Sequence, residues 1–126
     1  MQKEHIHIFV VLINRTKWYN ASGWTVYVYN KCSAKSKALA LSLFDVAEEK
    51  DLFGNRRIPA TKYHMANFCV LRETICPAIL TENLFQDNKK DVEYLLSDEG
   101  KKNICPNILC RSTNIVQVTT KTKFFL

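Results

Sequence analysis

The chain has 126 residues, of which 47% are hydrophobic and 24% charged, with only three glycines and three prolines. This composition is typical of one folded domain and excludes collagen-like, low-complexity and largely disordered chains. The net charge is +6, but residues 54–72 and 101–126 carry four and five positive charges without an acid, whereas residues 73–100 hold seven acids and two lysines. A surface with two such signs favours docking onto something large and charged.

The first third of the chain predicts two strands. Residues 5–13 (HIHIFVVLI) place apolar side chains on both alternating faces, which is typical of a central strand covered on both sides. Residues 24–30 alternate as well, with Trp24, Val26 and Val28 on one face. A turn around Asn20 to Gly23 separates the two segments, so the pattern predicts a hairpin.

The strongest helix prediction covers residues 34–53. Ser33 is a good N-cap, apolar residues recur at helical spacing, and Gly54 follows as a stop signal. The two periodicities predict a shared interior that contains Leu39, Leu43, Val46, Val10, Leu12 and Val26.

The remaining elements are predicted in chain order. Residues 62–72 are predicted as a strand, Pro77 opens a helix over 77–86, a further helix covers 91–97, and 114–125 forms a last alternating strand. The order β-β-α-β-α-α-β predicts a single α+β domain over residues 1–126, with helices packed on a small mixed or antiparallel sheet.

Cysteine usage and the first apolar run bear on the cellular setting. Five cysteines are an odd number, so they predict reduced, mostly buried thiols. The apolar run Ile6 to Ile13 is far shorter than the ~20 residues that span a bilayer. No small residues follow it as a signal-peptide cleavage site would require, so we expect an intracellular, cytoplasmic protein with no membrane contact.

No metal or cofactor site is predicted. The pairs Cys69/Cys76 and Cys105/Cys110 have six and four intervening residues, whereas zinc knuckles usually have two to four. His5 and His7 share a strand face without a visible third ligand, and His64 stands alone. Buried thiols and ordinary histidines explain these residues more simply.

The segment from Cys105 to Thr113 (CPNILCRST) resembles the Cys-x5-Arg-Ser/Thr loop of low-molecular-weight protein tyrosine phosphatases. The resemblance implies a Cys105 thiolate as nucleophile and Arg111 as phosphate ligand. The loop lacks glycine and is followed by a predicted strand, where the family has a helix. A cysteine-based phosphatase is therefore the third functional hypothesis.

The leading hypothesis is a non-enzymatic accessory subunit of a nucleoprotein assembly. Tyr27 and Tyr29 lie on one strand face, as base-stacking aromatics do in single-stranded RNA modules. The basic segments 54–72 and 101–126 would contact RNA or DNA phosphates, while the acidic segment would face a protein neighbour. The second hypothesis is a protein-interaction module, an inhibitor or structural subunit, that docks by charge complementarity. No small-molecule substrate is inferred. The predicted contacts are Arg56, Arg57, Lys62, Arg72, Lys101, Lys102, Arg111, Lys121, Lys123, Tyr27 and Tyr29.

Overall fold

A computed structural model of the chain describes residues 7–11, as backbone only, and residues 20–104. The elements in these ranges are the strands β1 (His7–Val11), β2 (Trp24–Tyr29), β3 (His64–Ala66) and β4 (Ala78–Asn83), and the helices α1 (Ala34–Glu49), α2 (Cys69–Arg72), α3 (Lys89–Leu96) and α4 (Asp98–Lys102).

The described strands form one mixed sheet in the order β1-β4-β2-β3. β4 runs parallel to β1 and antiparallel to β2, and β2 runs parallel to β3. Helix α1 packs on one face of this sheet and α2 on the other. The predicted α+β class, with a small mixed sheet and helices packed on it, is confirmed.

Two predictions about the centre of the sheet are wrong. β1 and β2 do not form a hairpin, because β4 lies between them. Residues 77–86 are not a helix, since Ala78–Asn83 is this central strand. Ile79 and Thr81 are fully buried and Leu80 is nearly so. A short apolar run buried on both faces has no periodicity that separates strand from helix, and Pro77 suits the residue before either element.

The predicted strand over 62–72 is correct for only three residues. β3 covers His64–Ala66, and the chain then turns into the short helix α2. The backbone N–H groups of Leu71 and Arg72 donate to the carbonyl of Phe68, at 3.1 and 2.9 Å. Phe68 itself has extended backbone at the N-cap position, so the reversal in direction occurs at this residue.

Helix α1 begins where the sequence predicts. The Ser33 hydroxyl accepts a hydrogen bond from the backbone N–H of Ser36 at 3.3 Å. The helix ends at Glu49, earlier than predicted, because Asp51 already has left-handed backbone, with φ of 52°. Leu39, Leu43 and Val46 are buried with Val26, which confirms that part of the predicted core. Leu12 and the side chain of Val10 lie outside the described part of the chain.

Replacing Leu43 with Ala is expected to lower the free energy of unfolding by about 2–5 kcal/mol. Leu43 is only 1% exposed, so the change leaves a cavity between α1 and the sheet. Urea denaturation of both proteins measures the difference. Leu41→Ala is the matched control, because Leu41 is 37% exposed on the same helix. Equal losses for the two variants would contradict this packing.

Other predictions concern thiols and membrane contact. Cys32, Cys69 and Cys76 are free thiols, but Cys69 is exposed and the other two are only partly buried, so the predicted burial is wrong for these three. Cys105 and Cys110 lie outside the described residues, as does the predicted strand 114–125. Within the described ranges, no helix has the length and apolar character needed to cross a membrane.

Candidate functional site

The sheet face opposite α1 carries polar side chains at one end. Thr25, Tyr27 and Tyr29 alternate along β2 on this face, because Trp24, Val26 and Val28 point into the core beneath α1. Helix α2 covers the far end, where Leu71 packs with Ala78 and Leu80. At the near end, the carboxyl end of β4 meets the amino end of β2, and none of the helices described in residues 20–104 is seen to pack on these two strand ends on this face.

Glu82 is the carboxylate at this uncovered end. It is partly buried and lies directly opposite Thr25 in the antiparallel register of β4 and β2. The Thr25 hydroxyl, in a residue only 7% exposed, donates to Glu82 Oε2 at 3.2 Å. A partly buried carboxylate held by a buried hydroxyl has a fixed orientation, as a proton acceptor in a site requires.

His64 lies on the same face, on the other side of β2. It is paired with Tyr27 in the β2–β3 register, and the two rings stack with centroids 4.9 Å apart at an interplanar angle of 27°. Two strand spacings, about 10 Å, separate the backbones of β4 and β3, and β2 lies between them with Thr25 and Tyr27 on this face.

Burial lowers the pKa of the His64 imidazole below its usual value. The Glu82 carboxylate acts in the opposite direction and raises this pKa, while the Arg56 guanidinium lowers it further. Burial also raises the pKa of the stacked Tyr27 phenol. His64 is therefore a neutral base near neutral pH, and Tyr27 stays protonated.

The lowered His64 pKa predicts a pH-dependent stability. Because the folded-state pKa lies below the unfolded value of about 6.5, the contribution of His64 is complete above pH 6.5 and is lost as the pH falls through the folded pKa. As the pH is lowered from 6.5, the free energy of unfolding is therefore expected to decrease more steeply in the wild type than in His64→Gln. Urea denaturation at a series of pH values gives both slopes. Identical pH profiles for the two proteins would contradict the shift.

A buried carboxylate holds this end of the sheet together. Asp91, in the first turn of α3, is only 9% exposed. Its Oδ2 accepts hydrogen bonds from the backbone N–H groups of Gly23 and Phe85, each at 3.0 Å. Gly23 precedes β2 and Phe85 follows β4, so Asp91 fixes the two strands that carry Thr25 and Glu82.

The segment after α1 folds back against the start of β2. The backbone N–H of Trp24 donates to the Leu52 carbonyl at 2.8 Å, and the backbone N–H of Ser22 donates to Asn55 Oδ1 at 2.8 Å. Arg56 Nε donates to the Ser22 carbonyl at 3.1 Å. The Arg56 guanidinium carbon also lies 4.8 Å from the centre of the Phe85 ring, which follows β4.

A cleft runs beside the uncovered edge of β2, between its first residues and the segment 53–64. Its walls combine basic, polar and apolar side chains, which belong to Trp24, Thr25, Val26, Phe44, Phe53, Arg56, Arg57, Ile58, Pro59, Lys62 and His64. Three of the sequence-predicted contact residues, Arg56, Arg57 and Lys62, therefore meet at one place. This cleft shares Thr25 and His64 with the Glu82 site.

The other predicted contact residues lie elsewhere. Arg72 is on α2 and pairs with the adjacent Glu73 at 2.8 Å. Lys101 and Lys102 are exposed on α4. Tyr29 is partly buried against the Leu71 cluster, and Tyr27 packs on Phe68 as well as on His64. Arg111, Lys121 and Lys123 lie outside the described residues, as does the Cys105 loop.

No group of three or more His, Cys, Asp or Glu side chains in residues 20–104 converges as a metal site. Glu82 and His64 lie with Tyr27 on one face of the described sheet.

Together, these features define an α+β protein with a partly buried carboxylate at the end of the central strand β4 and a neutral imidazole on β3, on the same face of the sheet. Such pairs are typical of sites that move protons during catalysis. The family model described as N-acetylmuramoyl-L-alanine amidase (Amidase_3) matches residues 2–110 of this chain. The chain belongs to this family.

Individual relatives agree with the family. The N-acetylmuramoyl-L-alanine amidase CwlM of Bacillus licheniformis is 49% identical over 53 residues, which are 40% of this chain and 21% of that protein. Among solved structures, amidase AmiC2 of Nostoc punctiforme is 26% identical with a TM-score of 0.62, over 80% of this chain and 53% of that chain. An amidase of Clostridium difficile 630 shares the fold at 22% identity and a TM-score of 0.65, over 85% of this chain and 57% of that one. The chain thus spans about half the length of these structures.

Family membership corrects the functional predictions made from sequence. The hypotheses of a non-enzymatic nucleoprotein subunit and of a docking module are wrong, because the family is one of enzymes that act on an amide bond. The predicted nucleic-acid partner and the predicted lack of a small-molecule substrate are wrong for the same reason. The charge pattern misled because the acids of 73–100 do not form one outer surface: Glu82 lies in the site and Asp91 is buried.

Sequence reasoning missed Glu82 altogether. It lay within the predicted helix over 77–86, where a glutamate is an ordinary solvent-facing residue. The available signal was the apolar run Ala78 to Thr81 immediately before it. An acid that closes such a buried run is costly to bury and therefore a functional candidate.

Proposed function

We propose that this chain takes part in hydrolysis of the amide bond between the N-acetylmuramoyl group and L-alanine in peptidoglycan. The observation that carries the proposal is the family match over residues 2–110, within which Glu82 lies. The amidases named above support the same substrate class. Glu82 lies near the end of β4 and is only partly buried, so its carboxylate can reach an amide bound at the surface.

The chemistry requires two proton movements. A water molecule attacks the carbonyl carbon of the amide and loses a proton, and the departing alanine nitrogen gains one as the C–N bond breaks. The Glu82 carboxylate accepts the proton from water and returns it to the amine. Thr25 is a positioning residue, because its hydroxyl reaches the substrate only through the Glu82 oxygen that it holds.

The neutral His64 imidazole faces the same space as Glu82. It can hold the carbonyl-side or amine-side groups of the substrate by hydrogen bonds, and its stacking on Tyr27 limits its rotation. The Glu82 carboxylate carries the proton transfer, since it lies at the end of the central strand and has its hydroxyl partner in place.

The experiment that tests this proposal determines which bond of peptidoglycan the chain cleaves. Purified peptidoglycan is incubated with the chain, new amino groups are labelled, and mass spectrometry identifies the residue that bears them. Amidase activity releases peptides with a free alanine amine. Release of reducing sugar ends, or of amines on another residue only, would contradict the proposal.

A further inference from the structure

The proposed amidase site does not account for the basic side chains of the neighbouring cleft. Arg56, Arg57 and Lys62 all line this cleft, which we call the cationic cleft. Within residues 20–104, none of the three forms an ion pair; the ion pairs found there include Arg72–Glu73 and Lys89–Glu93, both outside the cleft. Three cations that line one cleft and have no ion-pair partner among these residues favour an anionic ligand.

Arg56 is held in a fixed orientation. Its Nε donates to the Ser22 carbonyl at 3.1 Å, and its Nη2 donates to Asn55 Oδ1 at 3.0 Å. Its guanidinium carbon lies 4.8 Å from the centre of the Phe85 ring. Nη1 takes part in none of these bonds. A guanidinium fixed in this way binds a carboxylate without first losing conformational freedom.

Lys62, which also lines the cationic cleft, is held in position by its backbone and by its side chain. Its backbone is left-handed, with φ of 70°, and its N–H donates to the Pro59 carbonyl at 2.8 Å. Its Nζ lies 5.4 Å from the centre of the Phe44 ring at the base of the cleft. Strained backbone of this kind concentrates at ligand-binding positions.

Size and donors narrow the ligand. The cavity volume is about 10 Å³, close to what one water-sized group needs, so the enclosed part of the cleft suits a small polar group. Trp24 lines the cleft, and its buried indole N–H has no acceptor among the described residues. A carboxylate oxygen supplies both the negative charge and the missing acceptor.

We infer that the cationic cleft binds a carboxylate on the peptide side of the amide that is cleaved. The inference rests on the proposed function, because it takes the substrate from it. The cleft and the Glu82 site share Thr25 and His64, so a peptide anchored by its carboxylate extends from the basic wall toward Glu82. Arg56, Arg57 and Lys62 then select acidic peptides over neutral ones.

The test compares two ligands that differ only in charge. One is N-acetylmuramoyl-L-alanyl-D-glutamate, and the other is the same compound with both carboxyl groups converted to amides. Isothermal titration calorimetry with the full chain measures their dissociation constants. We expect the acid to bind at least about tenfold more tightly, because each exposed ion pair contributes up to about fivefold in affinity. This preference should shrink as salt rises.

Two double variants test whether the preference for the acid depends on the basic residues of the cationic cleft. In Arg57→Gln/Lys62→Gln, both altered side chains are exposed, so we expect an intact fold and loss of most of the acid preference. The control Lys37→Gln/Lys101→Gln removes the same charge from exposed positions outside the cleft and should keep the preference. Circular dichroism and thermal melting confirm that each variant is folded.

Each outcome has a separate meaning. Equal affinity of the wild type for acid and amide overturns the inference but leaves the proposed function standing. Binding of neither compound overturns the proposed substrate class and the inference with it. An acid preference that falls equally in both double variants reflects net charge alone and also overturns the inference.

Discussion

Replacing Glu82 with Gln is expected to reduce release of alanine amines from peptidoglycan by about 10²–10⁴-fold, the usual contribution of a positioned general base. Gln keeps the size and shape of the side chain, and its amide oxygen can still accept the hydrogen bond from Thr25. It cannot take a proton from water. The loss should therefore appear in the turnover rate. The affinity for N-acetylmuramoyl-L-alanyl-D-glutamate should change little.

The matched control is Glu49→Gln, the same chemical change at an exposed position in the last turn of α1. This variant should retain full activity. Thermal melting should show that both variants fold like the wild type. A Glu82→Gln variant with wild-type turnover would show that Glu82 does not transfer the proton and would require another acceptor.

Local patterns predicted much of the fold. The alternation of Trp24, Val26 and Val28 identified the buried face of β2, and Ser33 identified the first residue of α1. These features depend on neighbouring residues in the chain, so they can be inferred from short segments. The predicted burial of Leu39, Leu43 and Val46 was correct for the same reason.

Strand order could not be inferred in this way. Segments 7–11 and 24–29 are close in sequence and both read as strands, yet β4 inserts between them from more than fifty residues further along the chain. This arrangement depends on pairing between distant segments. The position of Glu82 beside Thr25 follows entirely from that insertion, so the candidate site was invisible without it.

The charge pattern was informative about place but not about partner. Three basic residues of segment 54–72 line one cleft, namely Arg56, Arg57 and Lys62. Net charge per segment does not show which acids turn inward, and Asp91 is used to bind backbone N–H groups. The same totals therefore fitted a nucleic-acid surface equally well.

Replacing Gly23 with Ala is expected to destabilise the fold by about 2–5 kcal/mol, from the combined cost of left-handed backbone and overpacking. Gly23 has φ of 108°, a conformation that side chains rarely adopt. A Cβ built there would lie 1.8 Å from the carbonyl oxygen of Phe53 and 2.3 Å from its carbonyl carbon. The obstacle is backbone, so no side-chain rotation relieves it.

The consequences should extend to the candidate site. Relief of the clash must move residues 53–56 away from the start of β2. Arg56 belongs to this segment, so the shift strains the bond from its Nε to the Ser22 carbonyl. The same shift strains the Gly23 N–H bond to Asp91, which fixes β2 against β4. Ser42→Ala, an exposed change on α1, should alter stability by less than about 0.5 kcal/mol and serves as the control. If urea denaturation gave the two variants the same free energy of unfolding, the close approach of Phe53 to Gly23 would be wrong. The placement of Arg56 against Ser22 would then lose its support, since it depends on how segment 52–56 lies against the start of β2.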